Sequence, residues 1–502
     1  MNMLLNSMKQ ASNFTRTENG AITHKTTESA LLDMFAMGGA MRQRSVGDVT
    51  LMFKKAYQEN PVYALKCLFY LRDVRGGQGE RRFFRECMKW LAKNDKAAAQ
   101  RNLQYVAEFG RWDDLYCFVG TSLEKDALKI MKEQFILDLN CKTPSLLAKW
   151  LHSENATSKE NAKLGALTCQ YFGYSPRQYR KHLSILRERI RVLERLMSQN
   201  RWNEIEFDKI PSKAGLKYKN AFARRDIIKA KYEKFAKDEN TKVNAGTLYP
   251  YEVVEKAINL MGSNQWYSRG RNVALDNTDR LMINKYWDNL TDYFKGSNLN
   301  ALCMVDTSGS MTGTPINVAT SLGLYCAEKA GGPFANHYIS FSAYPQLIEC
   351  EGVDFCDKVD RIVRTNLCQN TNIEAAFDML LNTAKSNRLS QDELPNTIIV
   401  ISDMEFDSAT WQYRSCSGRG TEGAETLMEG IARKWRANGY KVPHLIYWNV
   451  NARQNNIPML GVGRVSFVSG FSPSIFQSIV TGKTGYDLML ETLEKDRYKV
   501  IQ

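Results

Sequence analysis

Apolar residues follow two different rhythms along this chain. Through residues 27–298 they recur three or four apart, as in Leu31-Leu32-Met34-Phe35, from Val62 to Leu71 and from Phe83 to Leu91. That is the spacing of one face of a helix. Leu183, Leu186, Ile190, Leu193 and Met197 keep the same period and predict a single helix starting near Tyr179. After Lys295-Gly296-Ser297 the pattern changes to short Val- and Ile-rich runs: Leu302–Asp306, His337–Ser342, Thr397–Ser402, His444–Asn449 and Arg464–Val468. Helical stretches at Ile316–Ala330, Ile373–Ala384 and Glu422–Asn438 separate them. Continuous apolar runs of this length read as parallel strands buried on both faces, and their alternation with helices predicts a doubly wound sheet. The expected architecture is therefore α plus α/β: an N-terminal tail (1–26), a helical-repeat domain (27–298) and a parallel-sheet domain (299–502).

Charge sharpens that division. The 502 residues carry a formal net charge of +14. Residues 299–502 hold 18 Lys and Arg against 21 Asp and Glu, and residues 1–298 hold 50 against 33. The positive field thus belongs to the helical part, which points to a polyanionic partner, nucleic acid first, or to a merely solubilising surface. Hydrophobic residues make up 43% and charged residues 24%, ordinary for a soluble globular protein. No apolar run approaches the length of a membrane span, and Met3-Leu4-Leu5 is too short for a secretory signal, so an intracellular, cytoplasmic location is expected. Eleven cysteines without a Cys-x-x-Cys pair and five scattered histidines argue against a zinc centre.

The candidate chemistry lies at strand ends. Asp306, Ser308 and Ser310 follow the first Val-rich run in Asp306-Thr307-Ser308-Gly309-Ser310, Thr371 stands in Gln369-Asn370-Thr371-Asn372, and Asp403 follows Ile398 to Ile401. Loops at the carboxyl ends of parallel strands are where open α/β sheets bind ligands. Three hydroxyls and two carboxylates form an all-oxygen set suited to a hard divalent ion such as Mg²⁺. Taken alone, the first pentapeptide also reads as a helix cap. The order of the three elements resembles the metal-ion-dependent adhesion site of von Willebrand factor A domains. That resemblance implies that Ser308, Ser310 and Thr371 contact the ion and that Asp306 and Asp403 bind it directly or through water. It also implies one coordination position left for a partner's carboxylate. The chain departs from the pattern after Asp403, where Met404 and Glu405 stand in place of a frequent Gly.

The helical part carries basic rows. Arg187, Arg191 and Arg195 lie four apart, preceded by Arg177, Arg180 and Lys181, with Glu188 and Glu194 among them. Such a row is either a phosphate-binding face or intrahelical pairing. Lys213, Lys217, Lys219, Arg224, Arg225, Lys229, Lys231 and Lys234 are interleaved with Tyr218, Phe222, Tyr232 and Phe235, aromatics that either stack bases or form a buried helix face. The run Ala64 to Arg82, with its Arg72-Asp73-Val74-Arg75-Gly76-Gly77-Gln78-Gly79-Glu80 core, and Glu108-Phe109-Gly110-Arg111-Trp112-Asp113-Asp114-Leu115 resemble the TROVE module of Ro-type ribonucleoproteins. Together with Ser145 to Leu151, Tyr179-Arg180-Lys181, Ile210 to Ala214, Tyr447 to Val450 and Val468 to Ser472, they resemble a Ro-like family of plants, fungi and viruses named as domain of unknown function 2828. The resemblance implies HEAT-like helix pairs arranged as a ring, with RNA ends in its hole and structured RNA outside. The residues matched by charge and motif are Lys149, Arg180, Lys181, Arg187, Arg191 and Lys213. Around Gly76, the arginines Arg72, Arg75, Arg81 and Arg82 either face RNA or pair with Asp73 and Glu80.

Several activities are excluded. Thr481-Gly482-Lys483-Thr484 lacks the first Gly of a P-loop, since position 477 is Gln477. Ser308 has no Gly-x-Ser-x-Gly setting. The expectation is a non-catalytic RNA-binding protein whose von Willebrand A-type domain closes the ring or recruits an acidic partner through Mg²⁺. A metal-dependent protein-assembly module without RNA and a Mg²⁺-dependent nuclease are the competing readings.

Overall fold

The computed structural model describes residues 12–246, 248–261, 276–295, 297, 299–341, 344–365, 371–408, 425–460 and 464–502. Gly296 of the junction, Ser342 of a predicted strand, residues 422–424 of a predicted helix and the Met1–Gln10 segment lie outside the described residues. The fold is α plus α/β, with an α-rich N-terminal region and a mostly parallel six-stranded sheet in the C-terminal part. It divides into two compact units, each discontinuous in sequence: residues up to Cys67 with Leu248–Lys495, and Leu68–Thr247 with Asp496–Gln502. The units follow long-range packing, whereas the expected segments follow chain order. Within the expected tail, strands β1 (Phe14–Arg16) and β2 (Ile22–His24) make up a hairpin that bridges to Asp407 and Ile457.

In the first unit, strands β3 (Ala301–Asp306), β4 (His337–Phe341), β5 (Gln346–Glu349), β6 (Thr397–Ser402), β7 (His444–Asn449) and β8 (Val465–Ser469) lie in the order β5-β4-β3-β6-β7-β8. All pairs are parallel except β4 with the short edge strand β5. Every residue of β3, β6 and β7 is buried, as expected of central parallel strands covered on both faces. Helix Thr314–Lys329 lies against β3, where Gly323 lets the two backbones approach: a Cβ there would sit 2.5 Å from Val305 Cγ2. Helix Ala30–Met37 covers β8, and Gly39 leaves no room for a side chain beside the Ser469 carbonyl. From β3 the chain crosses to β4 on one side, whereas from β6 it crosses to β7 on the other. The adjacent carboxyl ends of β3 and β6 are therefore a topological switch point, the place where such sheets open a crevice.

The second unit is built from short helices, among them Arg81–Asn94, Glu124–Asn140, Lys159–Phe172, Pro176–Arg189, Ser212–Arg224 and Asp226–Lys237. Ser175 and Gln178 form a capping box with Pro176 in the first turn, and Glu80 caps helix Arg81–Asn94 through the N–H groups of Arg82 and Phe83. The helix predicted to run from Tyr179 through Met197 ends at Arg189. Arg191 takes a left-handed φ of 48°, and a short helix resumes at Leu193. The glycine turn also differs from the pairing considered for it. Asp73 receives Arg497 (Nη2 to Oδ1, 2.8 Å) and the Tyr498 hydroxyl, while Arg72 is buried against Asp114. Phe222, Ile228 and Tyr232 are buried, so these positions of the basic stretch serve the core.

Candidate functional site

The carboxyl ends of β3 and β6 place Asp306 and Ser402 side by side: the Ser402 hydroxyl donates to Asp306 Oδ2 at 2.5 Å. The Ser308 N–H donates to Asp306 Oδ1 at 2.9 Å, and the Ser308 and Ser310 hydroxyls lie 3.0 Å apart. Ser310 in turn bonds to Asp403, whose Oδ1 accepts from the Glu405 N–H. Four of the five predicted oxygen residues thus form one hydrogen-bonded group. Thr371 joins through Asn19, whose amide reaches Thr371 Oγ1 at 3.4 Å and donates to the Glu405 carbonyl at 2.6 Å. The Thr371 N–H is fixed by Asp407 Oδ2 at 3.1 Å.

Asp306, Ser308, Thr371, Asp403 and Glu405 are buried, and the electrostatics follow from that. Burial, then the neighbouring Asp403 charge, pushes the Asp306 carboxyl up to about 7. Burial raises Asp403 as well and lifts Glu405 to about 7. The cation facing Asp403 is Arg453, with Nη2 at 3.2 Å. Among the described residues no group of three or more His, Cys, Asp or Glu is arranged to hold a metal ion. Any ion here would rely on the hydroxyls. The donor set fits a hard cation: two acidic side chains in a low-dielectric setting, each costly as an anion, stand beside hydroxyl oxygens at a crevice position.

Three residues of this site escaped sequence reasoning. Glu18 and Asn19 lie nearly three hundred positions before the first motif, and Arg453 lies on the loop after β7. The only sequence signal was the departure at Glu405, whose carboxylate accepts from the Glu18 N–H at 2.7 Å and from Asn456 at 2.8 Å.

The predicted nucleic-acid residues all fall in the helical unit but have different surroundings. Arg187 is tied to the backbone, donating to the carbonyls of Ala148 and Leu151 at 2.9 Å each. Arg180 pairs with Glu154, and exposed Arg191 pairs with Glu206 at 2.7 Å. Lys181 and Lys213 are exposed, and Lys149 lies beside the Trp150 ring. Arg111 stacks on the same ring at 3.9 Å. It belongs to a set in which Arg72, Arg81, Arg85 and Arg111 pair with Asp113 and Asp114. Arg111 and Arg85 entered no predicted site, because the clustering arises from three separate chain segments.

Comparison with known proteins places the chain. A family model described as Domain of unknown function (DUF2828) matches residues 17–163 and 141–298. The chain belongs to this DUF2828 family. A second model, Domain of unknown function (DUF7788), matches residues 300–499 of the DUF2828 chain. The chain is also similar to Uncharacterized protein L728 of Acanthamoeba polyphaga mimivirus, 28% identical over 96% of this chain and 87% of the relative. Among the described residues no helix is long and apolar enough to cross a membrane.

Proposed function

We propose that this protein is a non-catalytic, cytoplasmic RNA-binding protein of Ro-like type. Its helical unit would be a HEAT-like TROVE module that holds RNA, and its sheet unit a von Willebrand A-type domain with a divalent-cation site. The observation that carries the reading is the separation of charge between the compact units. The helical unit contains 38 Lys and Arg against 23 Asp and Glu, and the sheet unit 30 against 31. A surface charged only for solubility has no reason to confine the excess to one unit. Phosphate contacts fall to exposed Lys181 and Lys213, to Lys149 beside Trp150, and to Arg180 and Arg191, which must leave Glu154 and Glu206. Arg187 supports Ala148 and Leu151 instead of reaching out.

Asp306, Ser308, Ser310, Thr371 and Asp403 would hold Mg²⁺ or a similar ion, which supplies positive charge to the buried carboxylates and a binding position for an acidic group. Hydrolysis of phosphodiesters is not part of the reading, because nucleases surround their ions with more carboxylates than this hydroxyl-rich set offers. The test is direct binding of the full chain to labelled single-stranded and duplex RNA across a salt series, with Mg²⁺ or with a chelator. Salt-sensitive binding that survives chelation, without shortening of the RNA, is the expected result. No binding at low salt overturns the RNA reading. Mg²⁺-dependent cleavage lost in Asp306→Ala establishes a nuclease instead.

A further inference from the structure

The tip of the β1–β2 hairpin is fastened to the candidate cation site at several points. Thr17 Oγ1 donates to the Phe406 carbonyl at 2.7 Å, the Glu18 N–H donates to Glu405 Oε2 at 2.7 Å, and the Ser408 N–H donates to the Asn19 carbonyl at 3.2 Å. Gly20, at a φ of +91°, makes the turn and bridges to Asp407. Farther back, Thr23 and His24 bond to Ile457 on the loop after β7. These bonds fix the backbone of residue 18 beside Asp403 and Glu405. The Glu18 side chain then meets Arg453, Nη1 to Oε2 at 2.5 Å, and the same guanidinium reaches Asp403 Oδ2 at 3.2 Å.

One cation is therefore shared by two carboxylates, one of them fully buried, with the Glu405 and Asp306 carboxyls close by. The guanidinium is not well satisfied there, because its Nε is buried without a partner. A guanidinium is bound best when its planar fork meets a carboxylate bidentately, whereas Arg453 divides one nitrogen to each acid. The arrangement sets one positive charge against two carboxylates, beside the mutually bonded Ser308 and Ser310 hydroxyls whose oxygens a small divalent ion would take.

We propose that Glu18 is the in-chain carboxylate of the divalent-cation site, occupying the place that an open site would offer to a partner. Arg453 is the cation that the metal relieves from Asp403. This rests on the divalent-cation reading above, and it changes what the site is for. Ion binding would fasten the N-terminal hairpin onto the loops after β6 and β7, and an acidic partner could bind only by displacing Glu18.

The experiment is titration of the full chain with Mn²⁺ by calorimetry, with and without competing Mg²⁺, using chains whose ion-free melting temperature is unchanged. Glu18→Gln keeps the hairpin's backbone bonds and should weaken Mn²⁺ binding by at least about tenfold. Arg453→Met should tighten it, because a competing positive charge is gone, and Asp306→Ala should abolish it. Tryptic cleavage after exposed Arg16 gives an independent readout: Mn²⁺ should slow it in the native sequence and not in Glu18→Gln. Binding that Asp306→Ala abolishes but Glu18→Gln leaves unchanged overturns the in-chain ligand and keeps the cation site. Weaker binding in Arg453→Met overturns the role given to that arginine. No Mn²⁺ binding by the unaltered chain overturns the cation site itself.

Discussion

His444 shows how one buried side chain sets a pH limit on the fold. It begins β7, its Nε2 lies 2.9 Å from Ser466 Oγ, and burial, then the nearby Arg464 charge, lowers its pKa from 6.5 to about 4. A base whose folded pKa is depressed is neutral in the native state while the unfolded chain binds the proton. Its contribution is therefore complete above about 6.5 and is lost as the pH falls from 6.5 toward 4, by on the order of 2 kcal/mol. Chemical denaturation at pH 7 and pH 4.5 should show that loss, and His444→Gln should flatten it at some cost in stability at pH 7. At this scale the sequence was legible where local pattern decides placement. Asp306, Ser308, Ser310 and Asp403 could be grouped because each stands just past an apolar run. Arg187 was legible as a cation but not as a clasp on Ala148 and Leu151, since nothing in a helical charge row says which carbonyls lie across from it.

Elements were read well where burial alone decides them. Thr397–Ser402 and His444–Asn449 have the bounds that their apolar runs give, because central parallel strands need only a continuous apolar sequence. The helix from Tyr179 was overextended, because the apolar period continues through Ile190 and Leu193 while the backbone turns left-handed at Arg191. Periodicity does not register a break that leaves the period intact. The β1–β2 hairpin was missed for another reason: strands of three residues carry too little pattern to announce themselves. Gly323 gives a prediction at this scale. Helix Thr314–Lys329 approaches β3 so closely that an added methyl would press on buried Val305, the residue before Asp306. Gly323→Ala should cost about 1–3 kcal/mol by overpacking. Thermal melting checks the loss of stability, and Mn²⁺ titration of the same variant reads any displacement of Asp306.

For the whole molecule the decisive quantity is where the charge sits. The helical unit has a net charge of +15, from 38 basic and 23 acidic residues, and the sheet unit −1, from 30 and 31. The sequence divides the asymmetry at residue 298 in chain order, whereas the compact units also join distant segments: Asp496–Gln502 to the helical unit, and residues up to Cys67 with Leu248–Lys495 in the sheet unit. If the positive unit binds RNA through phosphates, each contact releases counterions, and affinity should fall by at least about a hundredfold between roughly 50 and 200 mM salt. Replacing exposed Lys181, Lys213 and Lys217 together with Ala should reduce the slope of log affinity against log salt by about two for single-stranded RNA, if all three meet phosphates. The same number of changes on the sheet unit, at exposed Lys385, Lys441 and Lys483, should leave the slope unchanged. Fluorescence anisotropy across a salt series measures both. Equal losses from the two sets would mean that RNA responds to net charge alone and that the helical unit has no phosphate-binding face of its own.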